Sequence, residues 1–381
     1  MLAKIRFKNY RSFSKETIIS LEPTKSLILN DTNVYDDVLK GCCFYGPNAS
    51  GKSGAIEAIN ILSSLFFLNG TIRRDLFSLY SNEKTMYFEY TFKIDNSIIV
   101  YYFEFDRDCR VVKETLSVDG ELKLNRLVNS AESYLTERKD YDSSSVDVNN
   151  LFLKKIYFNT GFVEYPSLKK WIEFLKGSIK FDPINGFISF FGNREKVKDI
   201  LLINYLNEHG VDDINQFFKE FDFPYLVEYK KDIGNMMLGS NPFSRIVFKR
   251  NGLPEVNFLI ESYGNQLLLN MLPSFLNVVK NGGVLLIDEF SSGLHNKLEH
   301  LLVKYFFKHS KNAQLFFVSH STNLLTTTLL RPDQIYSVDF DNGSSFIKKF
   351  SDEQPRESQN LEKMYLAGVF GGIPLYEDKT K

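Results

Sequence analysis

The sequence predicts an α/β fold with a mixed, mainly parallel sheet as its core, an antiparallel β lobe and an inserted helical subdomain. From residue 256 onward, stretches of helical periodicity alternate with short apolar runs, which is typical of a parallel sheet covered by helices. Between Met86 and Val118, three runs of β-branched and aromatic residues follow one another with short polar breaks and predict an antiparallel meander. Amphipathic patterns between residues 166 and 232 predict the helical part.

The composition is that of an ordinary globular protein. The chain has 381 residues, of which 43% are hydrophobic and 24% charged, and its formal net charge is -1. It is long enough to bury a large core, and it has no overall basic excess that would indicate nucleic-acid binding. Any surface for DNA must therefore be a local patch. The 35 Phe and 20 Tyr are interpreted as core residues rather than as base-stacking platforms.

Nothing in the sequence indicates secretion or membrane insertion. The N-terminus is charged from Lys4 onward and lacks an apolar signal stretch. The longest apolar runs, such as Val284–Ile287, are much shorter than a bilayer span. Three cysteines, Cys42, Cys43 and Cys109, are too few for a disulfide framework and have no metal-ligand spacing. We therefore expect a cytoplasmic protein without a membrane segment.

The N-terminal part of the chain is expected to hold strands and one helix around a glycine-rich turn. Residues 1–22 alternate apolar and polar positions, which predicts two strands. The apolar run at 38–45 predicts a buried strand that leads into the turn. Residues 51–66 repeat apolar residues at a spacing of three, so a helix should follow the turn directly.

The middle of the chain, residues 120–255, is predicted to be an inserted and largely helical subdomain. Helical periodicity is clearest at Ser167–Leu175 and Arg194–Leu206. No long heptad run with apolar a and d positions occurs, so no long coiled coil is expected. The chain then divides into an N-terminal lobe (1–119), this subdomain and a C-terminal lobe (256–381).

The C-terminal lobe has the most regular pattern. Helices are predicted at 263–280, 295–308 and 321–329, and strands at 283–287, 313–318 and near 334–339. Because each strand is separated from the next by a helix, the strands can pair in parallel.

The strongest motif is the P-loop pattern Gly-Pro-Asn-Ala-Ser-Gly-Lys-Ser, which runs from Gly46 to Ser53. A hydrophobic strand precedes it and a helix follows it, as the pattern requires. Its glycines let backbone N–H groups wrap a phosphate, and the helix presents its positive end to the same anion. A chance match is expected in roughly one or two chains per hundred of this length, so we predict a nucleotide site.

The polar side chains of this loop have expected roles. Lys52 reaches the β- and γ-phosphates, and the Ser53 hydroxyl ligates Mg²⁺. ATP and Mg²⁺ are therefore the predicted cofactors. The other predicted nucleotide-binding positions of the loop are Gly46, Asn48, Ser50 and Gly51.

A second motif ends the strand predicted at 283–287, where Asp288 and Glu289 follow the apolar run directly. Asp288 would hold the magnesium shell, and Glu289 is placed to accept a proton from an attacking water or to orient it. If the pair is considered without the P-loop, two acidic residues that simply cap the end of a strand explain it equally well. A P-loop in the same chain favours the catalytic interpretation.

His320 occupies the corresponding position one strand later, just after the strand predicted at 313–318. In an open α/β sheet, ligands gather at the carboxyl ends of the strands. A histidine there can contact the γ-phosphate and sense its loss. A lone histidine is more often structural, but this position favours the sensor role.

A fourth motif opens the helix predicted at 263–280. A serine and a glycine at a helix N-terminus make a second anion site. Two phosphate-binding helices of one chain would compete for one γ-phosphate, so we expect this motif to act on the nucleotide of a partner subunit. The predicted assembly is a homodimer, or a higher homo-oligomer, with ATP sandwiched between two copies. The predicted nucleotide-binding positions of the motif are Ser262, Gly264, Asn265 and Gln266.

The order of these motifs resembles the ABC-type ATPase heads, and within them the SMC, RecF and OLD-like branch of bacterial AAA ATPases. The opening residues Ile5–Phe13 and the closing residues Met364–Pro374 are also similar to the two ends of that branch. The resemblance covers roughly residues 1–118 and 256–375. It implies a P-loop ATPase of the ABC type.

The resemblance also implies names and roles for the motifs. Gly46–Ser53 would be Walker A, and Ser262–Gln266 would be the signature that acts in trans. Asp288 would be the Walker B aspartate and Glu289 the catalytic glutamate. The remaining roles are the D-loop at Ser291–His295, the switch histidine at His320 and a nucleotide contact at Arg11.

Two features depart from the family pattern. The signature reads Ser-Tyr-Gly-Asn-Gln, with a bulky Tyr263 and no second glycine. No residue between 80 and 95 stands out as the glutamine-loop residue. Turnover is therefore expected to be slow or to depend on a partner.

Stand-alone proteins of this build resemble the ATPase subunits of abortive-infection and anti-phage systems, which accompany a separately encoded nuclease or toxin. No fused TOPRIM or HNH nuclease pattern occurs here, so the resemblance implies an effector in trans. The alternative is a RecF-like DNA repair or recombination ATPase that binds DNA directly. The nucleotide-binding subunit of a membrane transporter shares the motifs but fits the two ends and the long insertion poorly.

Overall fold

The computed structural model describes residues 1–68, 71–135, 140–141, 146–183, 187–190, 196–197, 200–230 and 242–373. In chain order the strands are β1 (Leu2–Lys8), β2 (Thr17–Ser20), β3 (Val34–Tyr35), β4 (Val38–Leu39), β5 (Gly41–Tyr45), β6 (Thr85–Ile94), β7 (Ser97–Asp106), β8 (Val111–Val118), β9 (Glu121–Leu127), β10 (Ser130–Ser133), β11 (Asp140–Tyr141), β12 (Ile179–Asp182), β13 (Phe187–Phe190), β14 (Lys196–Val197), β15 (Leu226–Tyr229), β16 (Ile246–Lys249), β17 (Val256–Asn257), β18 (Gly283–Ile287), β19 (Ala313–Val318), β20 (Ile335–Asp341) and β21 (Ser344–Lys349).

The helices in the same part of the chain are α1 (Asn30–Asn33), α2 (Lys52–Phe67), α3 (Phe152–Thr160), α4 (Pro166–Lys176), α5 (Ile200–His209), α6 (Asp212–Glu220), α7 (Tyr263–Asn281), α8 (Asn296–His309) and α9 (Leu361–Leu366). Among these described helices, none combines the length and the apolar character needed to cross a bilayer.

The core is an eight-stranded mixed sheet in the order β14-β13-β12-β18-β19-β5-β20-β21. Its five central strands run parallel, and β13, β14 and β21 pair antiparallel at the edges. Strands β5, β18 and β19 are buried along their whole length, as expected of parallel strands with helices on both faces. The mixed, mainly parallel core that the sequence predicts is confirmed.

The predicted antiparallel lobe is also present. It is an eight-stranded sheet in the order β11-β10-β9-β8-β7-β6-β1-β2, and its pairings are antiparallel. Residues along β6 alternate between buried and partly exposed positions, so this sheet turns one face to the core. A small third sheet, β15-β16-β17, lies outside both.

Helix α2 is held between the two large sheets. One hydrophobic cluster joins its residues with Phe88 of the antiparallel lobe and with Phe44 and Phe316 of the core sheet. A second cluster covers the other face of the core sheet with α7 and α8. Because α2 begins at the P-loop lysine, both sheets fix the position of that loop.

Two local expectations are wrong. The single strand expected at 38–45 is split into β4 and β5. Gly41 has a φ of 123°, and a Cβ there would overlap the Leu315 carbonyl, so the backbone must bend at this position. The helix expected at 321–329 is only a short 3-10 turn at Thr322–Leu324, because the β-branched run Thr326–Thr328 disfavours a continuing helix.

Residues 120–255 are less helical and less separate than the sequence pattern indicates. They contain α3 to α6, but their strands also extend both large sheets, and β12 pairs directly with β18 in the core. The helix expected at Arg194–Leu206 is seen from Ile200 to His209, and Arg194 itself lies outside the described residues. The domain boundaries drawn from the sequence stay a prediction.

Candidate functional site

Three of the four motifs meet at one edge of the core sheet. Strands β18, β19 and β5 are parallel neighbours. Gly46 follows β5, Asp288 and Glu289 follow β18, and His320 lies two residues after β19. Because the carboxyl ends of parallel strands face the same edge, these residues share one region of the surface.

The P-loop has backbone geometry that only glycine accommodates well. Gly46 and Gly51 have φ values of 156° and 114°. A Cβ on Gly46 would overlap the Val338 carbonyl, and a Cβ on Gly51 would collide with the Ser345 hydroxyl. The loop is therefore tightly wrapped, with β20 and β21 close behind it.

Lys52, the first residue of α2, points back into the loop. Its Nζ donates to the carbonyls of Gly46 and Pro47, at 2.9 and 2.8 Å. Burial lowers the pKa of the Lys52 ammonium, and the nearby carboxylates of Glu289 and Asp288 oppose that shift. The amine thus sits where the loop would hold the phosphates, next to the acidic pair.

Ser53 and Asp288 form the next contact. Burial raises the pKa of Asp288, and a hydrogen bond from the Ser53 hydroxyl opposes that shift. The Oδ1 atom of Asp288 is buried without a hydrogen-bond partner. A carboxylate with a free oxygen beside a hydroxyl suits a hard divalent cation such as Mg²⁺, so these two residues fit the predicted ligand pair.

Glu289 and His320 stand on the solvent side of this contact. Oε2 of Glu289 lies 3.7 Å from Nε2 of His320. Glu289 has a φ of 55°, which is uncommon for a residue with a side chain. The strained backbone turns this carboxylate towards the histidine and the P-loop cavity.

A cavity of about 390 Å³ opens over the P-loop. Glu289 and Arg11 line it together with the loop, so the structure brings Arg11 to the predicted site. The Arg11 backbone N–H donates to Leu76 O at 2.7 Å, and its Nε donates to the Tyr10 hydroxyl at 3.2 Å. Sequence reasoning missed Asp75, Phe77, Leu79 and Tyr80 on the other wall of the cavity, because these residues form no recognisable motif.

Comparison with known proteins decides the family. Residues 42–326, most of the chain, match the family described as "AAA domain, putative AbiEii toxin, Type IV TA system". The chain belongs to this AbiEii-type AAA family. The predicted relation to bacterial AAA ATPases of abortive-infection systems is therefore confirmed, and the P-loop and the acidic pair lie inside the matched region.

A relative from a retron system matches most of this AbiEii-type AAA chain. The "Retron Vc95 probable ATPase" of Vibrio cholerae serotype O1 biovar El Tor is 23% identical over 389 residues, which cover 85% of this chain and 72% of that protein. Family and relative together identify an ATPase of the type found in abortive-infection and retron systems.

Solved structures support the same fold. The SMC head domain from Thermotoga maritima has a TM-score of 0.52 at 17% identity, over 91% of this chain and 98% of that chain. An SMC head bound to the C-winged helix domain of ScpA has a TM-score of 0.50 at 17% identity, over 91% of this chain and 97% of that chain. The AbiEii-type AAA chain thus has the fold of an SMC head.

The signature motif of the AbiEii-type AAA chain is not part of the P-loop cavity. Ser262 is exposed at the start of α7, and none of Ser262–Gln266 lines the cavity. A Cβ on Gly264 would lie 3.0 Å from Gly293 O, so the signature packs against the segment predicted to be the D-loop. The structure therefore leaves Ser262 and Tyr263 exposed to solvent, while Gly264, Asn265 and Gln266 are half-buried.

Three polar side chains of the signature are used within the chain, and the first of them is the Tyr263 hydroxyl, which donates to Pro183 O at 3.1 Å. Asn265 Oδ1 accepts a hydrogen bond from the Tyr225 hydroxyl at 2.9 Å. Gln266 Nε2 donates to Phe258 O and Glu261 O, at 2.9 and 3.0 Å. These contacts shape the turn before α7, which leaves Ser262 and the backbone at Gly264 as the groups that can face a ligand.

The strand next to the acidic pair comes from the middle of the chain. Residues 85–94, where the family pattern would place a glutamine-loop residue, form β6 in the antiparallel lobe. Beside β18 lies β12, in which Lys180 pairs in register with Leu286 and forms an ion pair with Glu57 of α2. Sequence reasoning missed Lys180, because a four-residue strand gives no sign of its distant partner.

Proposed function

We propose that the chain binds ATP with Mg²⁺ at the P-loop, dimerises around the nucleotide and hydrolyses it, and that this cycle regulates a separately encoded effector in bacterial phage defence. The observation that carries the proposal is the division of the site. The P-loop, Asp288, Glu289 and His320 converge at one edge of the core sheet, whereas Ser262 of the signature stands exposed at the start of α7 and lines no part of the P-loop cavity. A second copy supplies the missing half.

Each residue has a role that its surroundings support. Lys52 neutralises the β- and γ-phosphates, and Ser53 and Asp288 hold the cation, which offsets the charge that develops on the phosphates. Glu289 orients the attacking water and accepts its proton. His320 contacts the γ-phosphate.

Two groups complete the phosphate site from either side. Arg11, at the cavity wall, supplies a positive charge beside the P-loop. Ser262 and the backbone N–H groups at the start of α7, from the second copy, close over the γ-phosphate as a second helix N-terminus.

The proposal of an effector is supported by the description of the family and by the name of a sequence relative. The family description reads "putative AbiEii toxin, Type IV TA system", and one sequence relative bears the name "Retron Vc95 probable ATPase". We infer that nucleotide-dependent dimerisation holds or releases the activity of an effector. Co-expression with the adjacent genes of the native operon tests this part, and a chain that purifies as a lone homo-oligomer with all of them contradicts it.

Phosphate release tests the ATPase itself. If the site is built from two chains, specific activity rises with protein concentration until the dimer is saturated, and Lys52→Ala is inactive at every concentration. Activity per chain that stays constant down to high dilution would contradict a two-chain site. Turnover that DNA stimulates and salt suppresses would support the DNA-repair alternative instead.

A further inference from the structure

The P-loop strand β5 has a different neighbour on each side. One is β19, followed by β18, and these strands carry His320, Asp288 and Glu289. The other is β20, which forms a hairpin with β21. Because the groups for metal and water lie on the β19 side, the γ-phosphate end of a nucleotide belongs there. The other end of the nucleotide must then leave the P-loop on the side of β20 and β21.

Two exposed apolar residues stand on that side. Leu79 and Tyr80 have 89% and 60% of their surface exposed, and both line the P-loop cavity. The Tyr80 ring packs against Phe340 of β20, with ring centroids 5.3 Å apart. Gly343, in the turn of the hairpin, lies so close that a Cβ there would be 3.3 Å from the Tyr80 Cβ. The tyrosine is thus supported from behind while much of it remains open to solvent.

The supporting hairpin is also tied to the P-loop. The Ser345 hydroxyl of β21 lies 2.6 Å from both Ser50 O and the Ser12 hydroxyl. Its single proton goes to the carbonyl, which can only accept, so the Ser12 hydroxyl donates to Ser345. The Ser345 backbone N–H donates to Ser12 O at 2.7 Å. These bonds fix the distance between the phosphate loop and the surface under Tyr80, as a site that holds both ends of one ligand requires.

We propose that Tyr80 and Leu79 form the base subsite of the nucleotide site, where a purine ring stacks on the tyrosine and contacts the leucine. This rests on the proposed function, since it assumes that the triphosphate lies in the P-loop. Single exposed apolar residues are normal on a protein surface, but two adjacent ones at the mouth of a phosphate-binding cavity form an apolar face next to a polar one. Stacking on an aromatic ring is insensitive to base identity, because every base has a π face, so ATP and GTP use this subsite alike.

The test compares a ligand that has a base with one that lacks it. Equilibrium binding of ATP, GTP and inorganic tripolyphosphate is measured for the wild type, Tyr80→Ala, Tyr80→Phe and Leu79→Ser. Tyr35→Ala is the matched control, because Tyr35 is 40% exposed and lies outside the P-loop cavity. We expect Tyr80→Ala to weaken ATP and GTP about tenfold and tripolyphosphate less than twofold. Tyr80→Phe retains the affinity, and Leu79→Ser weakens both nucleotides by a smaller factor.

Other outcomes overturn the proposal. Equal loss of all three ligands in Tyr80→Ala would mean that the tyrosine only supports the P-loop. Unchanged nucleotide affinity in both Tyr80→Ala and Leu79→Ser would show that neither residue contacts the base, and this surface would then be interpreted as a contact for a protein partner. Failure of the proposed function would be recognised by a different result, because Lys52→Ala would then bind tripolyphosphate as tightly as the wild type.

Discussion

Nε2 of His320 lies 3.7 Å from Oε2 of Glu289, although the two residues follow different strands. The backbone beneath them is held firmly. The His320 N–H donates to the Ser291 hydroxyl at 3.2 Å, and that hydroxyl lies 2.7 Å from the Ser319 hydroxyl. The imidazole and the carboxylate are too far apart for a direct hydrogen bond, and one oxygen atom beside the pair could contact both groups.

This arrangement predicts a loss of turnover without a loss of binding. Glu289→Gln should lower the rate of phosphate release at least about 100-fold, because the group that accepts the proton of the water is gone. His320→Ala should lower it about tenfold or more, through a lost contact with the γ-phosphate. Steady-state phosphate release at saturating ATP measures both rates.

The matched control for these variants is His300→Ala, since His300 lies on α8 and not at the carboxyl end of a core strand. It should retain wild-type turnover. Wild-type turnover in Glu289→Gln would mean that another group activates the water, and the catalytic assignment would be wrong.

Lys52→Ala should abolish measurable ATP binding. The ammonium is the principal cation of the loop, and in this structure it is already held inside by the carbonyls of Gly46 and Pro47. Titration calorimetry measures the affinity, with Lys169→Ala, an exposed lysine of α4, as the control. ATP affinity that survives in Lys52→Ala would remove the basis for the P-loop assignment.

Ser262→Arg should separate binding from hydrolysis. Ser262 is exposed and outside the cavity of its own chain, so a bulky cation there leaves the P-loop intact but obstructs a second copy. ATP affinity should stay within about twofold of wild type while phosphate release falls at least about tenfold. Ser358→Arg, another exposed serine, should change neither. Normal turnover in Ser262→Arg would refute the trans arrangement.

Glu299 gives a prediction for stability. This residue of α8 is fully buried, and both of its carboxylate oxygens lack a hydrogen-bond partner. Burial raises the pKa of Glu299 from its ordinary 4.5, and the nearby Ser321 hydroxyl opposes that shift only in part. Below 4.5 the carboxyl is protonated in both the folded and the unfolded chain, so it costs no stability.

As the pH rises past 4.5, Glu299 ionises first in the unfolded chain. The stability lost by keeping Glu299 protonated in the folded chain then grows until the pH exceeds the raised pKa of the folded state. Glu299→Gln should therefore increase the free energy of unfolding by more at pH 8 than at pH 5. Urea unfolding at the two pH values measures this, with the exposed Glu164→Gln as the control. A gain independent of pH would show that ionisation of Glu299 is not the cause.

The sequence predicts best what is local along the chain. The P-loop, the acidic pair after β18 and the histidine after β19 are each a few residues long and sit at a strand end, so pattern and spacing are enough to find them. The meander from β6 to β8 is likewise a run of neighbouring strands. These parts of the fold match their prediction because their partners are close in sequence.

Contacts between distant segments escape this reasoning. Lys180 lies about a hundred residues from β18, and only the pairing of β12 with β18 brings it beside the acidic pair. Tyr80 has no motif of its own and gains its place from Phe340 and Gly343. The bend at Gly41 depends on the Leu315 carbonyl of a neighbouring strand. In each case the cause is a tertiary contact that no single stretch of sequence contains.

The central claim is that two copies of the chain build one ATP site, and molar mass by light scattering of Glu289→Gln tests it most directly. This variant should bind ATP without hydrolysing it, so the closed form should accumulate. Adding ATP and Mg²⁺ should raise the mass from one chain to two, and the same addition should leave Glu289→Gln combined with Ser262→Arg unchanged. A Glu289→Gln variant that binds ATP yet stays monomeric at every concentration would contradict the account.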